Sequence, residues 1–138
     1  MAHPVYAFRL HPGADLKAEL EKMVKHHQIK AGWIITCVGS LSRFHLRFAN
    51  QSSGYSGEGY FEIVSLVGTL SITGCHLHIS ISNEAGSTLG GHLLEGCIVY
   101  TTAEVVLGTE PQFIFERELD PETGWRELKI QSAQRNRE

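Results

Sequence analysis

The stretch GCHLHIS (74–80) sets two imidazoles two residues apart inside a run that otherwise reads as a buried strand. Side chains of a strand alternate between faces, so Leu77, Ile79 and Ile81 take one face and His76, His78, Ser80 and Ser82 the other. The two rings therefore lie side by side. Neutral imidazole is a good ligand and titrates near physiological pH, so the pair could hold a metal, move protons or stand in solvent. A third histidine, His92, follows two glycines in STLGGHLLEG (87–96). Asn83 to Gly86 reads as a turn, which returns the chain beside the 75–82 strand shortly before His92. Gly90 and Gly91 carry no Cβ and let backbone pass close to a neighbour. Two histidines on a strand plus one from a nearby loop make up a three-imidazole site. Such a set suits zinc or another late first-row metal with a fourth position open. Glu84 and Glu95 are within reach as a carboxylate ligand or as partners to a ring N–H. The bland alternative is a half-exposed H-x-H on the polar face of a sheet.

A second constellation is the alternation in SRFHLRFA (42–49). Arg43, His45 and Arg47 share one face and Phe44, Leu46 and Phe48 the other. The apolar face belongs to a core. The basic face could meet phosphate, a carboxylate ligand or acidic groups of a second subunit, or could simply be solvated. Glu62 is read on one strand face with Val64 and Leu66, either at an exposed edge or buried and paired. The comparison with cupins, prompted by H-x-H and a downstream glutamate, fits poorly: the spacings from Gly68 to His76 and from His78 to Glu84 miss the cupin pattern.

These residues need a scaffold. VYAFRL (5–10) alternates as a first strand and HPG (11–13) turns the chain. From Ala14 to about Gln28, Leu16, Leu20, Met23, Val24 and His27 recur near a 3.6 period. Asp15 lies in the first turn, and Lys25, His26 and His27 lie near the end. That predicts a long amphipathic helix closed by Gly32, with His26 and His27 as helix-end cations. Strands follow at 32–42, 43–49, 60–72, 75–82, 97–107 and 113–120, and DPETGW (120–125) turns into RELKI. Residues 50–59 read as a polar glycine-rich loop. One helix among about seven strands argues for an α+β fold with a largely antiparallel sheet. The expected organisation is a single domain over residues 1–130 with a frayed polar tail, 131–138.

The 138 residues suffice for one domain with a real core. The net charge of −3 lacks the basic excess usual for a duplex-DNA binder, though a local patch remains open. No apolar run is long enough to cross a membrane. The start MAHPVYAFRL has no basic leader followed by an apolar block, so the expected location is the cytoplasm. Cys37, Cys75 and Cys97 are odd in number and set in apolar segments, the pattern of reduced core thiols. No P-loop, G-x-G-x-x-G turn or G-x-S-x-G elbow occurs.

Taken in order, VGSLS (38–42), GYFEIVSLVGTLS (59–71), HLHISISNEAG (76–86), GGHLLEG (90–96) and TAEVVL (102–107) resemble the PPC domain, for "plants and prokaryotes conserved", in its free-standing prokaryotic form. The resemblance covers about residues 5–130. It implies a seven-stranded antiparallel sheet with flanking helices, assembled as a homotrimer. It also implies that His76, His78 and His92 are metal ligands. In plant members the domain follows an AT-hook, absent here, and a Gly-Arg-Phe-Glu-Ile-Leu motif serves partner contacts. That motif aligns with Gly59, Tyr60, Phe61, Glu62, Ile63 and Val64, and Tyr60 replaces the arginine. The resulting expectation is a non-enzymatic trimeric binding module. It carries a divalent metal, zinc by ligand type, and meets DNA through Arg43 and Arg47 or else a regulatory protein. A metal-dependent enzyme or a cupin-like small-ligand binder is the alternative use of the same histidines.

Overall fold

The structure, a computed structural model, describes residues 2–133. Its elements are β1 (Val5–Leu10), α1 (Leu16–His26), β2 (Gly32–Arg47), β3 (Tyr55–Leu70), β4 (His76–Ser82), β5 (Thr88–Leu93), β6 (Ile98–Thr109), β7 (Phe113–Leu119) and β8 (Arg126–Ser132). Six strands form an antiparallel sheet in the order β1-β6-β2-β3-β4-β5, and β7 and β8 form a separate hairpin. The end of β2 also pairs with β5 through Leu46–Leu93 and Arg47–His92, so β2, β3, β4 and β5 close on themselves.

The helix is shorter than its periodicity suggests, 11 residues. Asp15 stands outside it as the N-cap, accepting from the Ala18 N–H at 3.1 Å, and its other oxygen accepts from the Gly96 N–H at 2.8 Å. At the far end Gln28, not Gly32, takes the left-handed conformation at φ 52°. The Gln28 and Ile29 N–H groups then donate to the Lys25 and Val24 carbonyls at 3.2 and 3.0 Å, a Schellman closure made without glycine. Leu16, Leu20 and Val24 are buried against Leu41, Leu70, Val99 and Leu107 of the sheet. Each fully buried leucine is worth roughly 1.5–3 kcal/mol, so this stripe holds the helix in place.

Several expected boundaries change. Residues 32–42 and 43–49 are one strand, interrupted only by register shifts of which the last lies between Leu41 and Arg43. β3 begins at Tyr55, inside the expected loop. Residues 88–93, read as a loop, are a strand, and the described residues hold eight strands in all. A register shift between Ile63 and Ser65 separates Glu62 and Val64, which are exposed, from Leu66, which is buried. Bulges reverse the phase of alternation, so strict period-two reading fails across them. Gln131 and Ser132, assigned to a tail, continue β8 opposite Ile114 and Phe113. Ala133 of that expected tail donates its N–H to the Gln112 carbonyl at 2.8 Å, and 134–138 lie outside the described residues.

Among the described residues, one face of the sheet has no cover. Ile35, Val38, Tyr60, Val64, Val67 and Tyr100 stand 44–60% exposed there. No helix among the described residues is long and apolar enough to cross a membrane.

Candidate metal centre

Register brings the histidines together. In the sheet Val67 faces His78, His78 faces His92, and His92 faces Arg47, one row running across β3, β4, β5 and β2. Directly paired residues project to the same face. His76 joins from two positions along β4. Close approach of backbone makes the row possible: a Cβ at Gly91 would sit 2.6 Å from the Arg47 carbonyl oxygen, and one at Gly90 would sit 2.7 Å from that of Ile79. The glycines expected to permit this approach do so, but within a strand. His92 therefore comes from a paired strand and not from a loop.

The nearest ring nitrogens of His76, His78 and His92 lie within 4.8 Å of one another, and the group could hold a metal ion. His76 and His78 face each other through Nε2 at 3.2 Å. The His76 and His92 rings are nearly parallel, 13° apart, and His78 stands at 86° and 85° to them. Tetrahedral zinc with Zn–N near 2.0–2.1 Å requires ligand nitrogens on the order of 3.3 Å apart. The His76–His78 pair already stands at that spacing, 3.2 Å, and three neutral imidazoles suit zinc or a similar metal. Burial holds His76 below the usual 6.5, and the positive Arg117 and neighbouring His78 act in the same direction while Glu127 opposes them. His92 is likewise lowered by burial, then by Arg47, His78 and His76. A lowered imidazole pKa keeps the lone pair free for a metal. Neither Glu84, in the turn after β4, nor Glu95 belongs to the cluster. Glu95 instead uses its backbone carbonyl, which accepts from His45 Nδ1 at 2.7 Å.

The basic stripe divides. Arg43 is paired with Glu58 at 3.4 Å, directly across from it on β3. Arg47 instead faces the histidines and stacks on Trp125, with its guanidinium carbon 5.7 Å from the ring centroid. A cavity of about 460 Å3 opens beside the cluster, with Arg47, Asn50, His76 and His92 on one wall. Arg117, Trp125, Arg126 and Glu127 of the β7–β8 hairpin form the other. No local pattern in the sequence linked these hairpin residues to the histidines. The signal available was compositional: two arginines and a tryptophan on a short terminal hairpin.

The thiols sit elsewhere. Burial pushes Cys37 and Cys97 up to about 11, assisted at Cys37 by Glu104, and it raises Cys75 as well. All three are free thiols, Cys37 and Cys97 buried and Cys75 half-buried.

An antiparallel α+β domain whose strands carry a three-imidazole cluster on an outer face is the class that fold and site define. The sequence model of the Plants and Prokaryotes Conserved (PCC) domain matches residues 2–111, and the chain belongs to this family, the one its motifs resemble. A curated relative, the bifunctional protein GlmU of Synechococcus sp. strain JA-2-3B'a(2-13), is 45% identical over 127 residues. Those residues are 92% of this chain and 20% of the relative, so the chain spans about a fifth of its length. Among solved structures, a hypothetical protein from Salmonella enterica superposes with a TM-score of 0.93 at 43% identity, over 95% of each chain. A metal-containing protein from Archaeoglobus fulgidus superposes with a TM-score of 0.74 at 25% identity, over 91% of this chain and 93% of that one.

Proposed function

We propose that this protein is a non-enzymatic, homotrimeric binding module that holds one divalent transition metal, zinc by ligand chemistry, on His76, His78 and His92. The observation that carries the reading is the convergence of three ring nitrogens from two paired strands. The description of the Archaeoglobus relative as metal-containing agrees with it. Once bound, the metal supplies a Lewis-acidic position open to a ligand. The chain's own part is to fix the imidazoles by strand pairing, while burial lowers the pKa of His76 and His92. A cytoplasmic setting suits three unpaired thiols.

Trimer formation is supported by the uncovered apolar face, which includes Tyr60 and Val64 of the Gly59–Val64 motif and extends to Val67 beside His78. A patch of this kind on a sheet face marks an interaction surface. Light scattering should give three times the chain mass, and Val64→Glu should shift it toward monomer.

Metal content per chain, measured on untagged protein beside a His76→Ala/His78→Ala variant, tests the centre. Near-stoichiometric metal lost in the variant supports the reading. No metal after reconstitution overturns it.

A regulatory-protein partner is favoured over DNA by the net charge and by Arg43's engagement with Glu58. Contact with phosphates through Arg43 and Arg47 alone would give a salt slope no steeper than about −2 for duplex DNA. A slope near that value, flattened in Arg43→Gln/Arg47→Gln, would restore the DNA reading. Turnover that disappears with the metal would instead make the site catalytic.

A further inference from the structure

We propose that the cavity between the histidine face and the β7–β8 hairpin binds a small hydroxylated organic anion, its anionic group on Arg47, Arg117 and Arg126 and a hydroxyl donating to Glu127. The hairpin, residues 113–132, lies beyond the 2–111 segment that the family's sequence model covers. The curated relative and the solved structures nevertheless align over 91–95% of this chain, so the hairpin wall rests on its own residues. The inference rests on the metal reading for one contact only, an anion oxygen at the open metal position.

The arginines carry the argument. Arg117 donates from Nη2 to the Arg126 carbonyl at 2.6 Å, Arg126 from Nη1 to the Arg117 carbonyl at 3.4 Å, and Arg47 from Nη1 to the Gln51 carbonyl at 3.1 Å. Each guanidinium has five N–H donors, so most remain available. Among the described residues none of the three is in an ion pair with a carboxylate. Three cations converging on one cavity repel one another until an anion enters, and their planar forks match carboxylate or phosphate oxygens two at a time. Glu127, the one carboxylate on the wall, accepts from Thr123 Oγ1 at 3.2 Å and keeps further acceptor positions that a ligand hydroxyl would fill. The volume, about 460 Å3, falls in the range of small-molecule sites.

The wall is also held in place. Phe115 is buried at the hairpin's base, its N–H donates to the Lys30 carbonyl at 2.8 Å, and its carbonyl accepts from Thr73 Oγ1 at 2.8 Å. The Trp125–Arg47 stack joins the far end of the hairpin to the sheet.

Calorimetric titration of the full chain, metal-loaded and metal-stripped, with tartrate, succinate, glycerol 3-phosphate and glycerol tests the proposal. Tartrate or glycerol 3-phosphate should bind, and their ranking tells carboxylate from phosphate. Affinity should fall at least about tenfold in Arg117→Gln/Arg126→Gln with metal content unchanged. Tartrate should exceed succinate, and Glu127→Gln should erase that preference. Failure of both anions to bind in either metal state, or binding indifferent to the arginine variant, overturns the site. Equal affinity for tartrate and succinate overturns the hydroxyl contact. Anion binding by a chain that takes up no metal would sink the metal reading and leave this one standing.

Discussion

The two walls of the cavity are built in opposite ways. The histidine wall is part of a continuous sheet: in the row from Val67 to Arg47, His78 and His92 are each paired on both sides, and the Arg47–His92 pair closes the ring of strands. The hairpin wall is a two-stranded piece of its own, anchored through Phe115 and touching the sheet again through Trp125. A paired interior strand gives each side chain little freedom, whereas a two-stranded ribbon depends on what it leans against. On the readings proposed above, metal ligation, which tolerates errors of only tenths of an ångström, would fall to the first and contact with a ligand's anionic group to the second.

Removing one ligand should give the largest separation between the two walls. His92→Ala should lower metal affinity by more than the roughly 10–100-fold that loss of a supporting hydrogen bond costs. A chelator-competition assay would read this, and an unchanged far-ultraviolet spectrum would show that the sheet persists. Next comes the hairpin's anchor. Phe115→Ala should destabilise by about 3 kcal/mol, the low end for phenylalanine truncation in a core. Amide exchange should then quicken across 113–132 while 76–93 stays protected and metal is retained. Metal loss in that variant would show that the two walls are one unit.

A smaller effect is expected from pH. His76 and His92 are held below 6.5 in the folded chain, so the unfolded chain takes up protons first as pH falls. Metal-free protein should therefore be most stable above pH 6.5 and lose stability as pH drops through and below it. Denaturant midpoints between pH 7.5 and 5 would show this, and a flat profile would contradict it. The smallest effect belongs to the other arginine of the stripe. Glu58→Gln leaves an exposed cation in place of an exposed pair and should change stability by less than about 1 kcal/mol, with anion binding at Arg47 unaffected.

Much of the histidine wall was legible in the sequence, because alternation and a two-glycine approach are local patterns. The pairing of His76 with His78 on one face and the return of the chain toward His92 both follow from them. What local pattern could not show was phase. The shift between Ile63 and Ser65 moves Leu66 to the core side, away from Glu62. A bulge adds one residue and leaves no mark in composition. Gly90 and Gly91 disguised β5 as a loop, since glycine is poor in strands unless close backbone approach requires it. Arg43 and Arg47 read as equivalents until the strand opposite placed Glu58 beside only one of them. The hairpin wall was hidden for a different reason: Arg117 and Trp125 line the same cavity as His76 and His92 across long sequence separations, and no periodicity reports such a meeting.

The row from Val67 to Arg47 also bears on when a metal could arrive. A slip of one residue in any of these pairings would turn the histidines toward the core, so the fold that buries Ile79, Ile81 and Leu93 already orients the rings. Small zinc domains wait for their ion before they can fold. Here strand pairing and apolar burial already set the three rings on one face. On the proposed metal reading, folding would therefore not wait for the ion, and loading would follow it as a separate event.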